Sequence, residues 1–95
     1  MTTYEIQART SNFPSLEYKG EGMGNRYNFS NNPARENVQF NHLEDAVLTA
    51  ESLLPEFDAG FKIQIFAYNF AEMENGDLDF IDYNLAWEKA CTANQ

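Results

Sequence analysis

The fold is decided by the stretch FKIQIFAYNFAEMENGDLDFIDYNLAW, residues 61–87. Residues 61–70 are rich in aromatic and β-branched side chains, which predicts a long strand. Asn75-Gly76 is the strongest short signal for a type I′ hairpin turn. Residues 77–83 after the turn are ambiguous between strand and helix. A short closing helix is predicted over about 82–91, from the helical spacing of Tyr83, Ala86, Trp87, Ala90 and Cys91.

The first part of the chain predicts the remaining strands. Residues 4–9 alternate apolar and polar side chains, the period of a half-buried strand. Proline and glycine make residues 11–25 a loop, and Asn31-Asn32-Pro33 a turn. Shorter strands are expected around Leu16–Tyr18, at Tyr27 and Phe29, and at Val38 and Phe40.

The clearest helix is predicted over about residues 42–54. Asn41 is its expected N-cap, with Glu44 in capping-box position, and Pro55 ends it. One face is apolar at 3.6-residue spacing, through Leu43, Ala46, Val47, Ala50, Leu53 and Leu54. The chain is therefore predicted to be a single α+β domain, residues 1–95, with an antiparallel sheet of three to five strands packed with two helices.

Charge is distributed unevenly along the chain. Fifteen acidic residues against six Lys and Arg give a net charge of −9. Residues 1–42 sum to zero, whereas residues 43–95 hold eleven acids against Lys62 and Lys89. This asymmetry predicts an acidic face that meets a basic partner. It argues against direct nucleic-acid binding, which needs clustered Lys and Arg.

The predicted hairpin concentrates these acids. With a two-residue Asn75-Gly76 loop, Glu74 would face Asp77 and Glu72 would face Asp79, all on one side of the ribbon. Like charges across a ladder are destabilising, so we expect the row, with Asp82 nearby, to present anions to Lys and Arg of a partner.

Two other interpretations of the acids stay open. Asp77 or Asp79 could instead cap the last helix on a solvated surface. Acids on the main helix and just after it are a secondary candidate for partner binding; they are Glu44, Asp45, Glu51, Glu56 and Asp58.

Few residues are suited to catalysis. One histidine and one cysteine do not make a nucleophile–base–orienter set, so no enzyme activity and no cofactor are predicted. His42 is expected at the surface and Cys91 in the core. A lone cysteine, with no leader and no membrane span in the sequence, predicts a cytoplasmic protein.

A calcium loop fits the acids poorly. Asp77, Asp79 and Glu88 stand at positions 1, 3 and 12 of an EF-hand spacing. Position 5 is Ile81, and position 6 is Asp82 where the loop needs glycine. No metal ligand is therefore assigned.

Three stretches resemble small phage-encoded anti-CRISPR proteins, specifically an inhibitor of the type I-F (Csy) surveillance complex. They are TYEIQART (residues 3–10), YKGEGMGNRY (residues 18–27) and HLEDAVL (residues 42–48). The resemblance implies a DNA mimic in the bacterial host cytoplasm. Such a protein would bind the Lys- and Arg-rich DNA-recognition surface of the complex, on its large subunit, and block target DNA binding. A monomer without membrane contact is expected.

Other functions remain open at this point. An acidic immunity protein that neutralises a nuclease toxin needs the same electrostatics against a basic active site. A carboxylate-based metal-binding or hydrolytic domain is a further alternative, as is an acidic domain that mimics no polyanion.

Overall fold

The computed structural model describes residues 1–11, 13–20, 29–30 and 36–92. Five strands form one antiparallel sheet in the order β3-β2-β1-β4-β5. The part of the chain described contains one α-helix, followed by a 3₁₀ turn at Leu54–Glu56. The elements are β1 (Thr2–Thr10), β2 (Phe13–Tyr18), β3 (Phe29–Ser30), α1 (Leu43–Leu53), β4 (Lys62–Glu72) and β5 (Leu78–Ala90). The predicted α+β class is confirmed.

β1 and β4 form the centre of the sheet. Ile6 lies opposite Ile65, and Ala8 opposite Ile63, and all four are 0–1% exposed. Cross-strand partners point to the same side of a sheet, so these residues share one face, here called the helix face. The intervening positions point to the other face, here called the open face. The strand predicted from the alternation of residues 4–9 is confirmed.

α1 covers part of the helix face. Ala46, Ala50 and Leu53 are buried in one cluster with the isoleucines of β4. Their 3.6-residue spacing forms the apolar stripe that the sequence predicted. The two alanines have short side chains, which lets the helix lie close to the strands. The helix predicted over 42–54 is confirmed.

The ends of α1 differ from the prediction. His42, not Asn41, is the N-cap, and its side chain makes no capping hydrogen bond. The predicted Asn41–Glu44 capping box is therefore wrong. Near Pro55 the chain leaves the α-helix at Leu53 and continues for one 3₁₀ turn.

The second helix, predicted over 82–91, is wrong, because residues 78–90 are β5. β5 carries two irregularities against β4, where Ile81 and Ala86 are extra residues in the pairing. Each bulge shifts the alternation by one residue. Side chains on one face are then three residues apart locally, as from Phe80 to Tyr83. This spacing imitates a helical period.

The segment before α1 is less regular than predicted. Phe40 forms a single two-bond bridge with Tyr4, with N···O distances of 2.9 Å each way, and the Val38 amide donates to the Tyr18 carbonyl. A strand at Val38 and Phe40 is therefore not formed. The strand predicted around Leu16–Tyr18 is confirmed as part of β2. The loop predicted over residues 11–25 is wrong for residues 13–18, which form β2. Residues 21–25 of that loop, Tyr27 and the turn at residues 31–33 lie outside the described residues.

Candidate functional site: the outer part of the β4–β5 hairpin

The β4–β5 hairpin extends beyond the part of the sheet that α1 covers. Its outer part, residues 66–85, is here called the outer hairpin, and every residue from 71 to 85 is exposed. The strands are closed by a five-residue loop, in which the Met73 amide donates to the Asp77 carbonyl at 2.7 Å. Gly76 adopts a left-handed φ of 87° there, a conformation that glycine reaches at little cost.

The loop changes the pairing of the acids. Glu72 pairs with Leu78, and Asp79 pairs with Ala71. The predicted row of four carboxylates on one side is therefore wrong, because a shift of one residue moves a side chain to the opposite face. Glu72 belongs to the open face and Asp79 to the helix face. The alternative role for Asp77 or Asp79 as a helix cap is also wrong, since β5 is a strand.

Asp77 turns back into the loop. The Asn75 side chain accepts from the Asp77 amide at 3.1 Å and donates to its carboxylate at 3.0 Å. Such a local side-chain turn favours a longer loop than the two-residue one expected. This is the physical reason for the shifted register.

The helix face of the outer hairpin is polar. Asp82 lies opposite Asn69, whose Nδ2 donates to Asp82 Oδ1 at 2.7 Å and to Asn84 Oδ1 at 3.4 Å. Thr2 Oγ1 donates to Asn69 Oδ1 at 2.7 Å. Asp82 is thereby held by a short hydrogen-bond chain that starts on β1. Asp79 lies two ladder positions nearer the loop; it is exposed, and its carboxylate makes no hydrogen bond within the described residues.

The open face of the outer hairpin is aromatic. Five rings from the two strands contact one another, with centroid separations from 5.7 to 6.4 Å. Tyr83 touches three of the others, and Phe80 is about half exposed. Exposed leucines extend the patch at both ends. The aromatic face, as it is called below, comprises Phe66, Tyr68, Phe70, Leu78, Phe80, Tyr83 and Leu85.

Carboxylates border the aromatic face. Glu5 lies opposite Phe66 and is held by Asn37 Nδ2 at 2.8 Å and by Gln39 Nε2 at 3.3 Å. Burial raises the pKa of Tyr68, and the charges of Glu5 and Glu17 raise it further. A hydrogen bond with Gln7 acts in the opposite direction on that pKa. The negative potential of β1 and β2 therefore reaches the rings.

The acids of the hairpin have few partners within the protein. Residues 63–88 contain six acids and no Lys or Arg. Within the described chain, Glu88 is the only one of the six in an ion pair, with Lys62 Nζ 2.7 Å away. The other five, which are exposed, are Glu72, Glu74, Asp77, Asp79 and Asp82. Their charge is available to a partner.

The secondary candidate acids belong to different elements from the outer hairpin. Glu44, Asp45 and Glu51 lie on the exposed side of α1, as predicted. Glu56 lies in the 3₁₀ turn, and Asp58 follows it. The fold does not place these five residues on the hairpin ladder.

Two polar side chains on the open face each bury an oxygen that makes no hydrogen bond. Thr3 lies opposite Tyr68, and Gln64 lies opposite Gln7 and Glu88. Neither Thr3 Oγ1 nor Gln64 Oε1 makes a hydrogen bond. An unpaired buried oxygen destabilises the fold. The base of the open face therefore contains an unpaired hydroxyl, at Thr3, and an unpaired amide oxygen, at Gln64.

His42 and Cys91 lie apart from the hairpin surface. His42 is exposed, and Cys91 is buried, each as predicted, and burial raises the pKa of the Cys91 thiol. Asp77 lies in the loop, whereas Asp79 and Glu88 lie on opposite faces of β5. Among the described residues, no three His, Cys, Asp or Glu side chains come together as a metal site.

The aromatic face was not predicted from the sequence. Phe66, Tyr68 and Phe70 alternate along β4, and this signal was present. On β5 the two bulges interrupt the alternation, so the residues that share the aromatic face do not show a period of two in the sequence. The face becomes visible once the register is known.

Comparisons with protein-family models, with curated proteins and with solved structures gave no match. In the part of the chain that the structure describes, no helix has the length and apolar character needed to cross a membrane.

Proposed function

We propose that the protein is an inhibitory binding protein, whose outer hairpin occupies the Lys- and Arg-rich surface with which another protein holds nucleic acid. The observation that carries the proposal is the run of residues 63–88, with six acids, no Lys or Arg and, among the residues that the structure describes, one ion pair to its acids. A basic groove that holds phosphates attracts any polyanion of suitable shape. Occupation of the groove would exclude the nucleic acid by competition.

The aromatic face gives this binding a second component. Surface ion pairs contribute little on their own, whereas aromatic side chains dominate the energy of many interfaces. Exposed rings also attract Arg and Lys through cation–π contacts. We therefore infer that charge steers the encounter and that Phe80 and Tyr83 supply much of the affinity.

The type I-F CRISPR surveillance complex is the specific partner proposed, through the DNA-recognition surface of its large subunit. This choice rests on the resemblance of residues 3–10, 18–27 and 42–48 to an inhibitor of that complex. The RNA-guided complexes hold DNA in positively charged channels. Mimicry is proposed here through overall charge and rings, not through a row of carboxylates at phosphate spacing, because Glu72 and Asp79 lie on opposite faces.

A binding assay tests the proposal. Purified type I-F complex is titrated with labelled target DNA, with and without an excess of this protein. We expect DNA binding to fall, and the inhibition to weaken as salt rises, since exposed charges are screened. Unchanged DNA binding at micromolar protein would contradict the type I-F assignment. Specific inhibition of a single small nuclease would instead favour the immunity protein.

A further inference from the structure

β5 is a free edge of the sheet. It pairs with β4 on one side, and no other described strand pairs with its outer side. It is thirteen residues long, whereas edge strands are commonly short because their unpaired N–H and C=O groups invite another strand. Its exposed apolar side chains include Ile81 and Tyr83, each 59% exposed. Such an edge favours pairing with a further strand.

We propose that two copies of this protein pair through β5, antiparallel, about a two-fold axis at Asn84. The two five-stranded sheets then become one continuous sheet. This proposal replaces the monomer expected from the sequence. It does not rest on the proposed function, since it concerns the protein alone.

Charge complementarity selects this register. With the axis at Asn84, Asp79 lies opposite Lys89 of the second copy, and symmetry forms that pair twice. Asp79 and Lys89 are both exposed, both lie on the helix face, and neither is in an ion pair within the described chain. Opposite charges directly across a ladder are stabilising.

Neighbouring registers are less favourable. An axis at Asp82 would place that carboxylate against its own copy, and like charges directly opposite each other are destabilising. An axis at Leu85 would place Asp82, on the helix face, opposite Glu88, on the open face, so the side chains of the two strands would no longer match face to face. The acids and the bulges of β5 therefore restrict how the edge can pair.

Apolar side chains also match in the proposed register. Tyr83 lies opposite Leu85 of the second copy, and both belong to the aromatic face. The two aromatic faces then join across the axis. Ile81 lies opposite Trp87, and Ala86 opposite Asp82, so the bulges of the two copies are adjacent. Bulges that coincide bend the two strands at the same place.

The acids of the two hairpin loops, Glu74 and Asp77, do not oppose this arrangement strongly. Antiparallel pairing places the two loops at opposite ends. At about 3.3 Å per residue the two Gly76 positions are about 50 Å apart. This separation is several times the screening length of about 8 Å at physiological salt.

Oligomeric state is the first test. Sedimentation velocity on the full chain, from micromolar to near-millimolar concentration, is expected to show a monomer–dimer equilibrium. Asp79→Lys and Lys89→Asp should each weaken the dimer at least tenfold, because each places like charges together twice. The double variant D79K/K89D should restore it. A monomer at every concentration would overturn the proposal, and so would a double variant as weak as the single ones.

Cysteine cross-linking tests the axis. In a Cys91→Ala background, Asn84→Cys places two thiols directly opposite each other, within the Cα separation that a disulfide spans. Tyr83→Cys and Leu85→Cys are matched controls, whose copies lie about 7–8 Å apart on the diagonal. We expect mild oxidation to cross-link Asn84→Cys fastest. Faster cross-linking at Tyr83→Cys or Leu85→Cys would overturn the Asn84 axis.

Discussion

Tyr68 and Tyr83 stack across the β4–β5 ladder, with ring centroids 5.7 Å apart and planes inclined by 23°. Tyr68 lies on a strand that also belongs to the core, whereas Tyr83 lies on the edge strand and is mostly exposed. The stack therefore couples an exposed ring to the rigid centre of the sheet. A ring held in this way loses little freedom when a partner binds.

The first prediction concerns this stack. Tyr83→Ala removes ring contacts with Phe66, Tyr68 and Phe80, and should lower the free energy of unfolding by about 1–2 kcal/mol. Tyr83→Phe keeps the ring and should cost less than about 0.5 kcal/mol. Urea denaturation measures both. Equal stability of the two variants would show that the ring contacts contribute nothing.

The second prediction separates the two faces of the hairpin. Asp79→Lys with Asp82→Lys reverses charge on the helix face, and Glu72→Lys does so on the open face. If the aromatic face is the contact, Glu72→Lys should reduce the inhibition of DNA binding more than the variant with both Asp79→Lys and Asp82→Lys does, when each effect is divided by the number of charges reversed. Glu44→Lys with Glu51→Lys on α1 is the control and should have little effect. Loss of inhibition by the control alone would move the site to α1.

The third prediction concerns alkaline pH. The phenol pKa of Tyr68 is raised in the folded protein by burial and by Glu5 and Glu17, whereas the unfolded chain ionises near pH 10. The Tyr68 phenol therefore holds its proton more tightly in the folded protein than in the unfolded chain. The contribution of this group to stability is complete below about pH 10 and is lost as pH rises through the folded pKa.

Tyr68→Phe removes the titrating hydroxyl and tests this reasoning. The stability difference between the protein and the variant should be constant from about pH 7 to about pH 9. It should then change in favour of the variant above about pH 10. Urea titrations at several pH values give the two curves. Parallel curves throughout would contradict the raised pKa.

The fourth prediction concerns the hairpin loop. A Cβ at Gly76 would have no neighbour within 4 Å, but the φ of 87° is unfavourable for other residues. Gly76→Ala should therefore cost about 1–2 kcal/mol through the backbone alone. Gly76→Asn should cost less, since Asn tolerates this conformation better. Thermal unfolding ranks the two variants, and Asn as costly as Ala would contradict the reason given.

The fifth prediction uses two adjacent threonines. Thr3 Oγ1 is buried without a partner, whereas Thr2 Oγ1 donates to Asn69. Thr3→Val keeps the shape and removes the unpaired oxygen, so stability should stay the same or rise by about 1 kcal/mol. Thr2→Val breaks a hydrogen bond and should cost about 1 kcal/mol. A larger loss for Thr3→Val than for Thr2→Val would reverse this assignment.

Periodicity predicted the elements that have one uninterrupted period. The alternation of residues 4–9 predicted β1, and the spacing of Ala46, Ala50 and Leu53 predicted α1. Both depend on local geometry that the sequence carries directly. Asn75-Gly76 also correctly located the hairpin loop.

The predictions that were wrong concern features that depend on tertiary structure. Bulges at Ile81 and Ala86 break the alternation of β5 and imitate a helix. The bonds of Asn75 with Asp77 lengthen the loop and shift the pairing by one residue. That shift places Glu72 and Asp79 on opposite faces. The predicted acids therefore do lie on the hairpin, but they do not share one side of it. A bulge is set by the partner strand, and a single-strand pattern does not reveal it.

The pairing of β1 with β4 determines when the protein can fold during its synthesis. Thr2 pairs with Asn69, so the first strand emerges from the ribosome long before its neighbour exists. At about 5–20 residues per second, that neighbour follows roughly 3 to 13 s later. Until then β1 and the apolar stripe of α1 lack β4, whose isoleucines they pack against in the core. The nascent chain is therefore open to chaperones over that interval, and the sheet is completed only after β4 has emerged.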